Sequence, residues 1–190
     1  ITIDSDGTYE VTVTNAVNCS KTKTFTVEAS GIATIEDINI NDFQENNTVT
    51  IEISTTSLGD YEFSLDGNNY QDSNVFSNLN SGEYTVYVQD KKGCGIVVES
   101  FFILDYPKFF TPNGDGYNDT WSIKNLDKRN LQNNIISVFD RYGKLLKQFI
   151  GLGEGWNGTF NENLLPATDY WFEMKLNNGK SVKGHFSLKR

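Results

Sequence analysis

Histidine is almost missing from this sequence. One residue of that type, His185, stands among 190, beside two cysteines, one methionine and three prolines. A single imidazole rules out most histidine-dependent catalytic and metal constellations, including any His-Glu-x-x-His helix. His185 lies on an alternating strand pattern, Ser181 to Leu188, opposite Val182, Phe186 and Leu188, and reads as a polar surface residue. Cys19 and Cys94 cannot build a disulfide framework and have no zinc-ligand neighbours. No nucleophile elbow and no glycine-rich phosphate loop occurs. No enzyme is expected on these grounds.

Long apolar runs are missing too. The longest, Ser100-Phe101-Phe102-Ile103-Leu104, is far too short to cross a bilayer, so no direct membrane span is expected. The chain opens in alternating sequence, Ile1-Thr2-Ile3, without an initiator Met. We read the numbering as starting inside a longer polypeptide, so a missing leader says nothing against export. Cations are scarce: 16 Lys and Arg face 25 Asp and Glu, a net charge of −9. With no dense basic stripe and no interleaved aromatics, nucleic acid is excluded as a partner.

What the sequence does have is strand material. Thr, Val, Ile, Tyr and Phe alternate in short runs separated by Asn, Asp and Gly clusters. Only Asn125 to Gln132 reads as a short helix. Hydrophobic residues at 37% and aromatics at 13% suffice for packed cores, which argues against disorder.

One piece recurs. Gly7-Thr8-Tyr9-Glu10-Val11-Thr12-Val13 and Gly82-Glu83-Tyr84-Thr85-Val86-Tyr87-Val88 each have a cysteine twelve residues after the glycine, so they are the same element in successive modules. Leu79 to Tyr84 has the form of a tyrosine corner, in which a Tyr hydroxyl bonds back to the chain a few residues upstream. Leu165-Pro166-Ala167-Thr168-Asp169-Tyr170 repeats that spacing, followed by Phe172, Met174 and Leu176 as an inward set. The fold class expected is all-β, in tandem Ig-like antiparallel β-sandwich modules. Residues 1–30 are the last strands of a truncated repeat, 31–106 a complete one, and 107–190 a third module. Strands are expected near 33–40, 48–55, 60–65, 69–76, 83–89 and 96–104, with Asp66-Gly67 as a type I′ hairpin turn. Cysteines at equivalent points of successive modules should sit roughly 30 Å apart, far beyond disulfide reach, and both should be free.

Charge changes at the last boundary. Residues 1–106 carry 4 basic and 17 acidic side chains, net −13, whereas residues 107–190 carry 12 and 8, net +4. A basic module after an acidic one points to a different partner or to ordinary surface variation.

The most distinctive stretch is Thr111-Pro112-Asn113-Gly114-Asp115-Gly116-Tyr117-Asn118-Asp119-Thr120-Trp121. Asn113, Asp115 and Asp119 are hard oxygen donors among glycines, partly like a calcium loop but without the distal bidentate Glu. The alternative is a self-bonded Asx turn in which the carboxylates cap backbone amides. Aromatics in the marked turns Asp140-Arg141-Tyr142-Gly143-Lys144 and Gly155-Trp156-Asn157-Gly158-Thr159 suit sugar binding, or, for Trp156, closing the end of a core.

Taken in order, Phe109 to Trp121, Ile136 to Lys144, Trp156-Asn157-Gly158, Leu165 to Tyr170 and Gly184-His185-Phe186-Ser187-Leu188-Lys189-Arg190 resemble the gliding-motility-associated C-terminal domain. That is the type B sorting domain of type IX secretion cargo in Bacteroidota. The middle repeat is similar, more loosely, to repeats of SprB-like gliding adhesins. The resemblance implies export through the type IX translocon and retention outside a Gram-negative outer membrane by a PorP/SprF-like outer-membrane barrel. Partner contacts are then expected at exposed edges and end loops: Phe110, Thr111 and Pro112, the turn residues Arg141 and Tyr142, and a free terminal segment, Leu188-Lys189-Arg190. The alternative function is a carbohydrate-binding adhesive module with Trp156, Tyr142 and Tyr70 as the sugar platform.

Overall fold

A computed structural model describes residues 2–176 and 179–190; Ile1, the first residue of the alternating opening, lies outside them. The architecture is all-β, as the alternation predicts. Among the described residues fifteen strands run in chain order: β1 Gly7–Thr14, β2 Ser20–Val27, β3 Ile35–Asn41, β4 Asn47–Ile53, β5 Tyr61–Ser64, β6 Val75–Leu79, β7 Gly82–Asp90, β8 Ile96–Ile103, β9 Phe109–Phe110, β10 Ile135–Phe139, β11 Leu145–Ile150, β12 Thr159–Phe160, β13 Asn163–Leu164, β14 Asp169–Lys175 and β15 Ser181–Leu188. The one helical element among the described residues is a 3₁₀ turn, Leu126–Arg129, inside the segment read as a short helix. Left-handed Asn125 and Asn130 bracket it and confine it to a single turn.

The chain divides into two compact units, Ile1–Asn39 with Thr50–Val75 and Thr85–Ser100, and Ile40–Val49 with Phe76–Tyr84 and Phe101–Arg190. Within the first unit β1 and β2 form an antiparallel hairpin in register from Gly7↔Val27 to Thr14↔Ser20. β5 pairs antiparallel with β7, Phe63 opposite Val88. Both cysteines are free, as expected. Strand orders β3-β4-β6 and β5-β7-β8 show the period-two burial of Ig-like sheets: Val49 and Ile51 on β4 and Val86 and Val88 on β7 are fully buried.

Two sequence expectations fail in this region. The strand expected at 69–76 lies instead at Val75–Leu79, and residues 69–74 form an irregular approach in which only Gln71 bridges to Phe63. Asp66-Gly67 is not a type I′ turn, which needs positive φ at both central residues; only Gly67 has it, at 71°. Asp66 instead uses its carboxylate locally, accepting the amides of Asn68 and Asn69, each at 2.8 Å, and the Ser64 hydroxyl at 2.9 Å. Asn and Asp side chains here outcompete a tight hairpin by satisfying the backbone themselves.

The second unit holds the larger core. Its sheet runs β11-β10-β14-β15-β9, antiparallel except that β9 joins β15 in parallel. Alternate residues point inward, Ile136 and Val138 from β10, Phe172 and Met174 from β14, Phe186 and Leu188 from β15. Trp121 lies flat on Phe186 with ring centroids 3.9 Å apart and planes 10° apart. Trp156 packs edge-on against Tyr170 at 4.8 Å. The two tryptophans exchange backbone hydrogen bonds, Trp121 N–H to Trp156 carbonyl at 2.8 Å and the reverse at 3.0 Å. Each indole N–H also finds a carbonyl, Pro107 for Trp121 and Thr159 for Trp156, so neither ring is buried with an unmet donor.

The repeat seen in the sequence is a repeat of one hydrogen bond. Tyr9 donates to the Ser5 carbonyl at 2.9 Å, Tyr84 to Asn80 at 3.2 Å and Tyr170 to Pro166 at 2.8 Å, always four residues back. Each tyrosine also meets a phenylalanine of the following strand: Phe25, Phe101 and Phe186 respectively. The geometry is that of a tyrosine corner. Tyr170 is buried and Tyr9 is not, so the same hydroxyl has different worth at the two sites. Tyr170→Phe is expected to lower unfolding free energy by about 1 kcal/mol in urea, and Tyr9→Phe by no more than a few tenths.

Candidate functional site: the loops and the terminal strand of the second unit

The Asn113–Asp119 loop follows β9 and is organised around one carboxylate. Asp119 accepts the amides of Asn113 at 2.9 Å and Gly114 at 2.6 Å on one oxygen, and of Gly116 at 2.7 Å on the other. Asp115 accepts the Tyr117 amide at 2.7 Å and the Asn113 side-chain amide at 2.8 Å. Gly114 and Gly116 take φ of 78° and 85°, the left-handed conformation that lets the amides of Asn113, Gly114 and Gly116 converge. Among the described residues no three His, Cys, Asp or Glu side chains gather as a metal site. This is the geometry of a self-bonded Asx turn, and a cation at Asn113, Asp115 and Asp119 would have to displace those amides from Asp119. The turn is the reading we propose for the loop.

The Gly114 amide, then that of Gly116, holds the Asp119 carboxyl below the usual carboxylate range against a smaller opposing effect of burial. A lowered folded value adds stability above the unfolded pKa of about 3.9, lost as pH falls through the folded value. Asp119→Asn should therefore lower the melting temperature at neutral pH, with the deficit shrinking below about pH 4. Calcium or chelator should leave the wild-type melting temperature unchanged; a rise with calcium would restore the metal reading.

The turn at Asp140–Lys144 is built the same way. The Asp140 carboxylate accepts the amides of Tyr142 at 2.8 Å and Lys144 at 2.9 Å, while Gly143 takes φ of 79°. This leaves Tyr142 pointing outward, 87% exposed. Arg141 crosses to the tyrosine-corner segment and donates to the Thr168 hydroxyl at 2.6 Å. Lys144 sits over the Phe160 ring at 4.3 Å. Asp140, Arg141, Tyr142 and Lys144 thus line one wall, and Leu165 to Tyr170 the other, of a cleft of about 380 Å³.

The remaining expected contact residues divide between surface and core. Thr111 and Pro112 are half-buried at the base of the Asx loop. Phe110 and Leu188 are buried in the core and offer no side chain to a partner. The terminal segment is not free: Leu188 N–H bonds to Thr168, Lys189 N–H to Phe110, and the Arg190 guanidinium to the Gly158 carbonyl at 3.3 Å. Nor is β15 an edge strand, since β14 and β9 flank it on both sides. The expectation of a loose, grippable end missed β9, a two-residue strand too short to show periodicity. Lys189 and Arg190 remain exposed, Lys189 over the Phe109 ring at 4.2 Å.

Trp156, named above as part of a sugar platform with Tyr142 and Tyr70, is 1% exposed and belongs to the core. Its motif glycines explain why. Gly155 and Gly158 take positive φ, and a Cβ on either would fall 2.6 Å from the Trp121 carbonyl or the Leu188 side chain. Gly184 is required for a similar reason: a Cβ there would meet Phe172 and Tyr106 at 2.7 Å. These glycines thus specify close packing, while the Asp140–Lys144 turn is displayed, as is the Asn113–Asp119 loop with Tyr117 80% exposed.

These features define the second unit as a compact all-β module with displayed loops. Residues 104–188 match the family model of the CHU_C Type IX secretion signal domain. The match marks residues 104–188 as a type IX secretion signal domain, which implies export by the type IX secretion machinery, contact with that machinery and association with the cell surface. It does not extend to SprB-like repeats. A sorting-signal domain on an Ig-like β fold suggests a non-catalytic domain. No curated protein sequence matches the chain. Among solved structures it is similar to PorZ, a type IX surface component of Porphyromonas gingivalis, at 17% identity and TM-score 0.36, over 88% of this chain and 26% of that one. It is also similar to latent PorU of the same organism, at 15% and 0.28 over 96% and 24%. The chicken CNTN1 FN1–FN3 domains follow at 12% and 0.27 over 96% and 78%. This chain spans about a quarter of the length of PorZ, and at such TM-scores the likenesses carry no weight for its function.

Proposed function

We propose that residues 104–190 are a folded sorting and attachment module of a gliding-motility adhesin, delivered by the type IX translocon and held at the outer membrane of a Bacteroidota cell by a PorP/SprF-like barrel. The observation that carries the reading is the family match over residues 104–188. The turn displaying Arg141 and Tyr142 supports it, because it offers an exposed aromatic and a cation beside the tyrosine-corner segment. In this reading the module is recognised as a folded body, through the Asp140–Lys144 turn and the exposed Lys189 and Arg190, and the whole chain performs no catalysis. The net +4 of residues 107–190 suits acidic partner groups.

Residues 104–190 fused to an unrelated secreted reporter should bring it to the surface of a type IX-competent cell containing the barrel, and residues 1–103 should not. Arg141→Ala with Tyr142→Ala should reduce surface reporter at least tenfold while leaving the melting temperature within about two degrees, since both side chains are exposed. Lys189→Ala with Arg190→Ala tests the terminal cations separately. Equal display without residues 104–190 would end the sorting assignment.

A further inference from the structure

The solvent face of the five-stranded sheet carries a second feature. Cross-strand partners Leu145 and Phe139, Phe139 and Trp171, and Trp171 and His185 set one row of side chains across β11, β10, β14 and β15, with a register shift between β10 and β11 at Val138/Phe139. With strands about 4.8 Å apart the row extends roughly 14 Å. Leu145 is 43% and Trp171 40% exposed, whereas Trp121 and Trp156 are buried in the core. The Trp171 and His185 rings lie 6.4 Å apart at 36°. A parallel row beside it is wholly polar: Gln148 donates to Ser137 at 3.0 Å, and Lys183 pairs with Glu173 at 3.3 Å. Asp140 and Arg141 border the other side, enclosing a shallow depression of about 610 Å³.

We propose that this face is a binding platform for a flat, β-linked oligosaccharide. A protein partner of ordinary stability needs about 800 Å² on each side around a charge-depleted core; here the apolar strip is one residue wide and has charged groups along both margins. A pyranose has the complementary form, an apolar C–H face that stacks on an aromatic ring and a rim of hydroxyls that bonds to flanking charged groups. Strand addition is not available to this face, because it is the middle of a sheet rather than an edge. Trp171 supplies the stacking surface, Phe139 and Leu145 extend it, and Glu173, Lys183 and Arg141 take the hydroxyls.

Trp171 is the exposed one of three tryptophans, so iodide quenching of the full chain reports on it alone. Cellohexaose and chitohexaose are the probes. Saturable binding of at least one by calorimetry is expected, with matching protection of the iodide-accessible tryptophan. Trp171→Ala should weaken that binding at least tenfold without lowering the melting temperature, and Trp171→Phe should retain most of it. Binding of neither sugar, or equal binding by Trp171→Ala, overturns the proposal. So does iodide protection that depends on chain concentration instead of sugar, which would assign the face to a protein contact.

Discussion

The face-to-face stack of Trp121 on Phe186 is the contact on which the second unit depends. It joins the residue that ends the Asx loop to the final strand, and the two rings share one core with Phe110, Trp156, Tyr170 and Phe172. Aromatic side chains of this size each bury on the order of 150–250 Å², so a module with so few elements obtains most of its cohesion from this group. The tight places follow from it. Gly155 and Gly158 exist where backbone must approach Trp121 and Leu188, Gly184 where β15 must pass Phe172 and Tyr106. The terminal strand is consequently an interior element of the fold.

Around that core the chain's many Asn, Asp and Gly residues perform one repeated task. Asp66, Asp119 and Asp140 each accept at least two backbone amides from the residues beside them. Loops without ladder partners are ordered in this way, since a short carboxylate replaces the hydrogen bonds the turn has lost. Asp42 is a contrast. It meets Arg129 and the Leu104 amide in a largely covered position, and there burial is the dominant influence and pushes its carboxyl above the usual range despite the guanidinium. Such a pair fixes position more than it stabilises.

The repeat, the all-β class, the free cysteines and the exposed His185 were legible because each depends on local spacing. A tyrosine four residues past its acceptor and a two-residue alternation are both visible along the chain. What escaped depends on distant partners. β9 has two residues and pairs in parallel, and the aromatic row from Leu145 to His185 appears only once four strands are paired. The Asn113–Asp119 stretch read as a metal loop or a self-bonded turn, because hard oxygen donors among glycines serve either purpose.

The central claim is that β15 is part of the folded core and not a tail. Native-state hydrogen exchange tests this most directly, because amides of a core strand open only with the whole unit. The account predicts that Phe186 and Leu188 amides exchange as slowly as those of Phe172 and Met174 on β14. Exchange of Phe186 and Leu188 at rates near those of an unstructured peptide, with β14 still protected, would contradict it.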